Sequence, residues 1–155
     1  MDDSADTAIS PSTFHPTRRL FSLPQANRSL VLVSRIVADL VADYSRLLEA
    51  QDILELEQRY GCLDYLDEVR RQMAATVRRL QHHLEELEGV GVVLRDFASG
   101  LVDFPARVAG RDVYFCWQFG EEGIQYWHGR YEGLTGRKPV SELARPAAVR
   151  PPLPR

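Results

Sequence analysis

Between residues 23 and 58 apolar side chains recur on a seven-residue beat. Leu23, Leu30, Val37 and Tyr44 form one series; Ala26, Val33, Leu40, Leu47 and Leu54 interleave with it, and Gln51 and Gln58 are its polar entries. Alternating steps of three and four residues keep side chains on one face of an α-helix, so the pattern predicts a helix with a coiled-coil-like seam of about five heptads. Ser22 is suited to cap it, Pro24 tolerates an early helical position, and Gln25 stands where a capping box needs it. Gly61 interrupts the beat and a second seam begins: Leu63, Val77 and Leu84 in one series, Leu66, Met73, Leu80 and Leu87 in the other, with Arg70 the discordant member. Two helices of about 55 and about 40 Å, joined by a short glycine turn, are expected to fold back antiparallel. Val31, Leu32, Ile36, Val41 and Leu48 flank the first seam, more apolar surface than one partner helix covers. The helices are therefore expected to pack on a C-terminal module or to self-associate with a second hairpin, and an intermolecular helix is an open alternative.

Gly89 and Gly91 end the helical pattern. Val90, Val92, Val93 and Leu94 suggest a short strand, Gly100–Pro105 a turn, Arg111–Phe119 a second strand and Ile124–His128 a third, after a Gly120–Gly123 loop. Closing that loop as a hairpin puts Trp117 near Tyr126, Phe115 near His128 and Cys116 near Trp127. Aromatics then fall on both faces, so the sheet should be covered on both, the helices serving one side. The expected fold class is α+β: a long antiparallel helical hairpin with a small C-terminal antiparallel β module. The expected units are a flexible arm (1–20), the hairpin (21–88), a β-rich module packed on the helices (89–140) and a Pro-rich tail (141–155).

The 155 residues fit one domain or two tightly associated subdomains, and 45% hydrophobic with 26% charged residues is ordinary for a soluble globular chain. No apolar run reaches the roughly 20 residues a membrane helix needs, and the acidic start (Asp2, Asp3, Asp6) is unlike a secretory leader, so a cytoplasmic location away from membranes is expected. A net charge of −3 gives no global attraction for nucleic acid. Cys62 and Cys116 form no CxxC or metal-ligand spacing; reduced thiols are the simpler reading, one disulfide the other. No motif asks for a cofactor or a metal.

Gly100-Leu101-Val102-Asp103-Phe104-Pro105, Val113-Tyr114-Phe115-Cys116-Trp117, Gly120-Glu121 and Ile124-Gln125-Tyr126-Trp127-His128 resemble the bacterial domain-of-unknown-function family 2203. So do Gly133, Gly136-Arg137-Lys138-Pro139 and the opening Phe21-Ser22-Leu23-Pro24-Gln25-Ala26-Asn27, and the resemblance spans roughly residues 20–140. It implies a soluble, helix-rich, uncharacterised protein and brings no catalytic set with it.

His128 is the residue with most chemical promise. Beside Asp103, Glu121 or Glu122 it could bind an ion or move a proton; the plainer reading is a satisfied structural histidine. Asp103 and Pro105 read as turn residues and Glu121 as a loop brace. Cys116 reads as a small core hydrophobe, with a Cys116–His128 catalytic pair the lesser alternative, and His82-His83 as solvated on the outer flank of the second helix. Arg137-Lys138 after Gly133 and Gly136 could grip an anion, although no phosphate-binding loop is present. The acidic hairpin tip, Glu49 to Glu68, could meet a basic partner. The leading expectation is a homo-oligomeric interaction or scaffold protein assembled through its helices. The alternative is a small enzyme or ligand-binding protein with a pocket of Asp103, Arg111, Glu121, His128 and Arg137; a nucleic-acid module ranks third.

Overall fold

A computed structural model describes residues 19–60 and 63–144. Helices α1 (Leu23–Tyr60) and α2 (Leu63–Val90) are followed by strands β1 (Val93–Asp96), β2 (Leu101–Val108), β3 (Arg111–Gln118), β4 (Tyr126–Gly129) and β5 (Lys138–Pro139). The strands form one antiparallel sheet in chain order, β1-β2-β3-β4-β5. The fold is α+β, a helical hairpin with a C-terminal β module, as the patterning predicts. Most of the expected arm (1–18) and tail (145–155), and Gly61 and Cys62 at the expected helical turn, lie outside the described residues.

Helix α1 begins in the capping box its sequence announces. The Gln25 amide donates to Ser22 Oγ (3.2 Å) and the Ser22 amide donates to Gln25 Oε1 (2.9 Å), so two amides without helical partners are satisfied reciprocally. The first seam is buried as far as Leu40, through Ala26, Leu30, Val33 and Val37, with Ile36 and Asp43 beside it. No residue of α1 after Asp43 is buried.

The second seam departs from its expected series by one position. Leu66, Leu80 and Leu87 are buried as expected, but Val77 is 39% exposed, while Val69 and Thr76 are buried. Val69, Thr76 and His83 thus face inward where Arg70 and Val77 were expected, which removes the discordant arginine and turns His83 toward α1, while Leu84 is partly buried against the core as expected. The expectation that His82 and His83 are both solvated holds for His82 and fails for His83, whose side chain is only 13% exposed.

Gly100–Pro105, expected as a turn, is instead the turn's last residue followed by the start of β2. Residues 101–106 are all buried, as a strand covered on both faces requires. Pro105 is tolerated because its main chain points away from β3. Its carbonyl accepts from the Phe21 amide (2.7 Å) on an edge that β1 is too short to reach, so no ladder donor is missing. Gly100 has φ +67°, and a Cβ there would lie 2.7 Å from Val37 Cγ1 and 2.8 Å from Phe119 Cβ. Glycine is what lets the β1–β2 turn sit directly on α1.

Val102, Phe104 and Ala106 of β2 and Val113, Phe115 and Trp117 of β3 pack with the buried face of α1 and with Leu80 and Leu87 of α2 in one apolar core. The helices thereby cover one face of the sheet.

The β3–β4 register also corrects the expectation. Cys116 pairs with Tyr126, Phe115 with Trp127 and Tyr114 with His128, one residue away from the symmetric hairpin. The connecting loop is held from elsewhere: Asn27 Oδ1 of α1 accepts from the Ile124 amide (3.0 Å), and the Val140 amide donates to the Gln125 carbonyl (2.9 Å). A shift of one exchanges the faces of a strand. His128 therefore lies with Tyr114 and Cys116 on the face away from the helices, not with Phe115 in the core.

Candidate functional site

On that outer face adjacent strands each contribute a chemically active side chain. β1 supplies Arg95, β2 Asp103, β3 Cys116 and β4 His128, and the ladder sets Asp103 directly across from Cys116. Asp103, Cys116 and His128 are all buried, at 1%, 1% and 6% relative exposure. A carboxylate so placed is costly unless its partners are charged and well directed. Here Arg95 Nε donates to Oδ2 (2.7 Å), and His128 Nε2 lies 2.9 Å from both carboxylate oxygens.

The other imidazole nitrogen is also engaged: His128 Nδ1 donates to the Gly129 carbonyl (2.9 Å). With an acceptor at each nitrogen the ring is an imidazolium. Its pKa is pushed up to about 10, by the Asp103 carboxylate above all and then by the Cys116 side chain and the Gly129 carbonyl, against the opposing effect of burial. The Tyr114 ring lies 5.4 Å from the imidazole, and the Arg95 guanidinium sits 5.0 Å over that tyrosine.

Above the buried residues is a cleft of about 450 Å³, with Arg95 and Asp96 on one side and Arg130, Tyr131, Glu132 and Gly133 on the other. Tyr131 is 90% exposed at its mouth. Both signs of charge line it, and Asp103, Cys116 and His128 lie at its base.

The chain matches the sequence model of an uncharacterized conserved protein family, DUF2203, over residues 19–140. It belongs to the DUF2203 family. No curated protein and no solved structure matches it. Three of the segments by which the chain resembles DUF2203 meet in this cleft: Gly100–Pro105 delivers Asp103, Val113–Trp117 delivers Cys116, and Ile124–His128 delivers His128.

Of the five pocket residues expected for this DUF2203 chain, Asp103 and His128 are brought together. Glu121 and Arg137 form a separate pair. Arg137 Nη2 donates to Glu121 Oε1 (2.8 Å), which also accepts from the Gln118 amide (2.7 Å), so Glu121 braces the β3–β4 loop. Neither residue lines the cleft, although the Arg137 guanidinium, 4.3 Å over Tyr126, also interacts with Cys116 at its base. Arg111 is exposed at the start of β3 and does not line the cleft. Lys138 is matched by Glu132 (3.2 Å) and stacks 4.9 Å over Trp127, so Arg137-Lys138 is a pair of partnered cations.

Arg95 escaped the sequence reading, and Cys116 entered it chiefly as packing. Arg95 falls just past Leu94, the last residue of the short strand that the patterning predicts. Cys116 was grouped with its apolar neighbours, although the alternation Val113, Phe115, Trp117 against Tyr114, Cys116, Gln118 carries the signal that it faces away from the core. A second buried carboxylate, Asp43, also went unnoticed. It accepts from Arg46 (2.8 Å) and Arg79 (3.1 Å) and lies 3.3 Å from His83 Nε2. Burial opposes ionisation there, but the hydrogen bonds from Arg79, Arg46 and His83 outweigh it, and its pKa is lowered from 3.8.

Proposed function

We propose that the protein is a binding module for a small polar ligand, taken into the cleft over Asp103 and His128. What supports this reading is a buried charged pair at the base of an open cleft instead of under a sealed core. A volume of about 450 Å³ suits a metabolite-sized molecule, and walls of both charges suit one carrying donors and acceptors. The test is amide chemical-shift mapping with a panel of small carboxylates, phosphates and amines in chelator-containing buffer. The expected result is movement centred on Arg95, Gly129, Arg130 and Gly133. Shifts confined to the helices, or none with any class, would refute it.

A second reading, self-association through the helices, draws support from the distal hairpin. No α1 residue after Asp43 is buried, and Leu56 there is 62% exposed, as are Val31 (66%) and Leu32 (52%) nearer the sheet. Light scattering across a concentration series tests it, and a strict monomer throughout ends it.

A further inference from the structure

We infer that Asp103, Cys116 and His128 form a binding site for a divalent metal ion of the zinc class, with the ion's remaining coordination position open to the cleft. The inference deepens the reading of the cleft as the working surface and rests on it.

The three ligand atoms, a histidine nitrogen, a carboxylate oxygen and the Cys116 sulfur, all lie within 4.8 Å of one another. The nitrogen that reaches the carboxylate is Nε2; Nδ1 is held by the Gly129 carbonyl at 2.9 Å. A metal-binding histidine is oriented in this manner, with its second nitrogen donated to a carbonyl that fixes ring and tautomer. Asp103 has its own outer partner, since Arg95 on Oδ2 (2.7 Å) leaves Oδ1 for an ion. In a tetrahedral zinc site neighbouring ligand atoms stand about 3.3–3.6 Å apart. The 2.9 Å His128–Asp103 contact would have to open by roughly 0.5 Å to admit the ion, a side-chain movement only.

The same geometry argues against a nucleophilic relay. In a Cys–His–Asp relay the two imidazole nitrogens serve opposite partners, one facing the thiol and the other the carboxylate. Here the second nitrogen serves the Gly129 carbonyl, so none is left to take the thiol proton while Nε2 holds Asp103. Convergence on one point is what a chelate needs and a relay does not.

Charge and ligand type narrow the ion. On binding, the Nε2 proton of the imidazolium and the Cys116 thiol proton are released to solvent; thiolate and carboxylate then offset the ion's two charges, so the ion and its three ligands carry no net charge, which suits residues this deeply buried. Sulfur and imidazole ligands select zinc-like ions over calcium or magnesium, which take oxygen. Three protein ligands with the next position facing a cleft is the arrangement of an ion that holds a water or a ligand group rather than a purely structural one. The ion would tighten the hold on a polar ligand that the cleft walls already bind without it.

The test titrates the full chain, stripped of metal, with Co²⁺ as an optical probe. The expected result is one equivalent bound, with visible tetrahedral bands and a near-ultraviolet thiolate-to-cobalt band. Cys116→Ser should abolish the thiolate band, His128→Asn should weaken binding at least about tenfold, and Asp43→Asn should change neither, with circular dichroism confirming that each variant folds. Absence of the thiolate band in the unmodified protein overturns the inference without needing any variant, and so does undiminished binding by folded Cys116→Ser and His128→Asn. Because the ligand mapping above is done with chelator present, cleft shifts without a cobalt site would sink the metal and leave the ligand reading standing.

Discussion

Among the described residues two carboxylates are buried, Asp103 in the sheet and Asp43 in α1, and each gathers a histidine and arginine. Around Asp43 the cations are surface residues whose charged ends lie outward: the Arg46 and Arg79 side chains are 64% and 49% exposed. Its histidine, His83, engages one nitrogen at 3.3 Å, and its Nδ1 has no hydrogen-bond partner. Around Asp103 the histidine is 7% exposed, both of its nitrogens are directed at 2.9 Å, and a thiol completes the group at the base of a cleft. One cluster ties two helices together; the other is built more tightly than holding strands together requires. Similar residue types acquire different roles through burial and through what they open onto.

The largest expected effect comes from emptying the tighter cluster. Asp103→Ala leaves the His128 imidazolium and Arg95 facing each other with no anion, and should cost about 3–5 kcal/mol in urea unfolding. A loss below about 1 kcal/mol would mean that the pair is not held as described.

Gly100→Ala comes next, at about 2–3 kcal/mol, because a Cβ meets Val37 and Phe119 at an already left-handed backbone position. It should disturb the His128 resonances more than those of His83, since the added Cβ presses between the sheet turn and Val37 of α1 and not into the Asp43–His83 contact. Equal disturbance of both histidines would show that the two clusters are one coupled unit.

Asp43→Asn should cost less, about 1–2 kcal/mol, since its cations can turn to water. It should leave cleft binding unchanged; weakened binding would break the comparison.

The smallest effect is a pH dependence. A carboxyl whose folded pKa is depressed contributes stability above its unfolded value, near 3.8, and loses that contribution as pH falls through the lower folded value. Urea midpoints of wild type and Asp43→Asn should therefore draw together as pH is lowered from about 5 through 3.8 and below. A constant difference across that range would show that Asp43 is not ionised by its arginines.

The two clusters also show how far the sequence reaches. The helical hairpin was legible because a seven-residue beat is local, and Ser22 with Gln25 fixed its start. The α2 face was misread at Arg70 and Val77, because Val77 is apolar enough to hide the Val69, Thr76, His83 series that Arg70 hinted at. Asp103 and His128 were singled out, but not their meeting, which depends on a one-residue register. That register is set by Asn27 holding Ile124, a contact 97 residues apart that no local pattern encodes. Pro105 made a strand look like a turn, because its edge position becomes visible only once Phe21 is seen to bond its carbonyl.

The most direct test of the contrast follows the two histidines together by imidazole ¹⁵N resonances as Zn²⁺ is added. The account predicts that His128 Nε2 moves while its Nδ1 stays protonated on the Gly129 carbonyl, and that His83 does not respond. Zinc appearing on His83, or leaving His128 untouched, would contradict it.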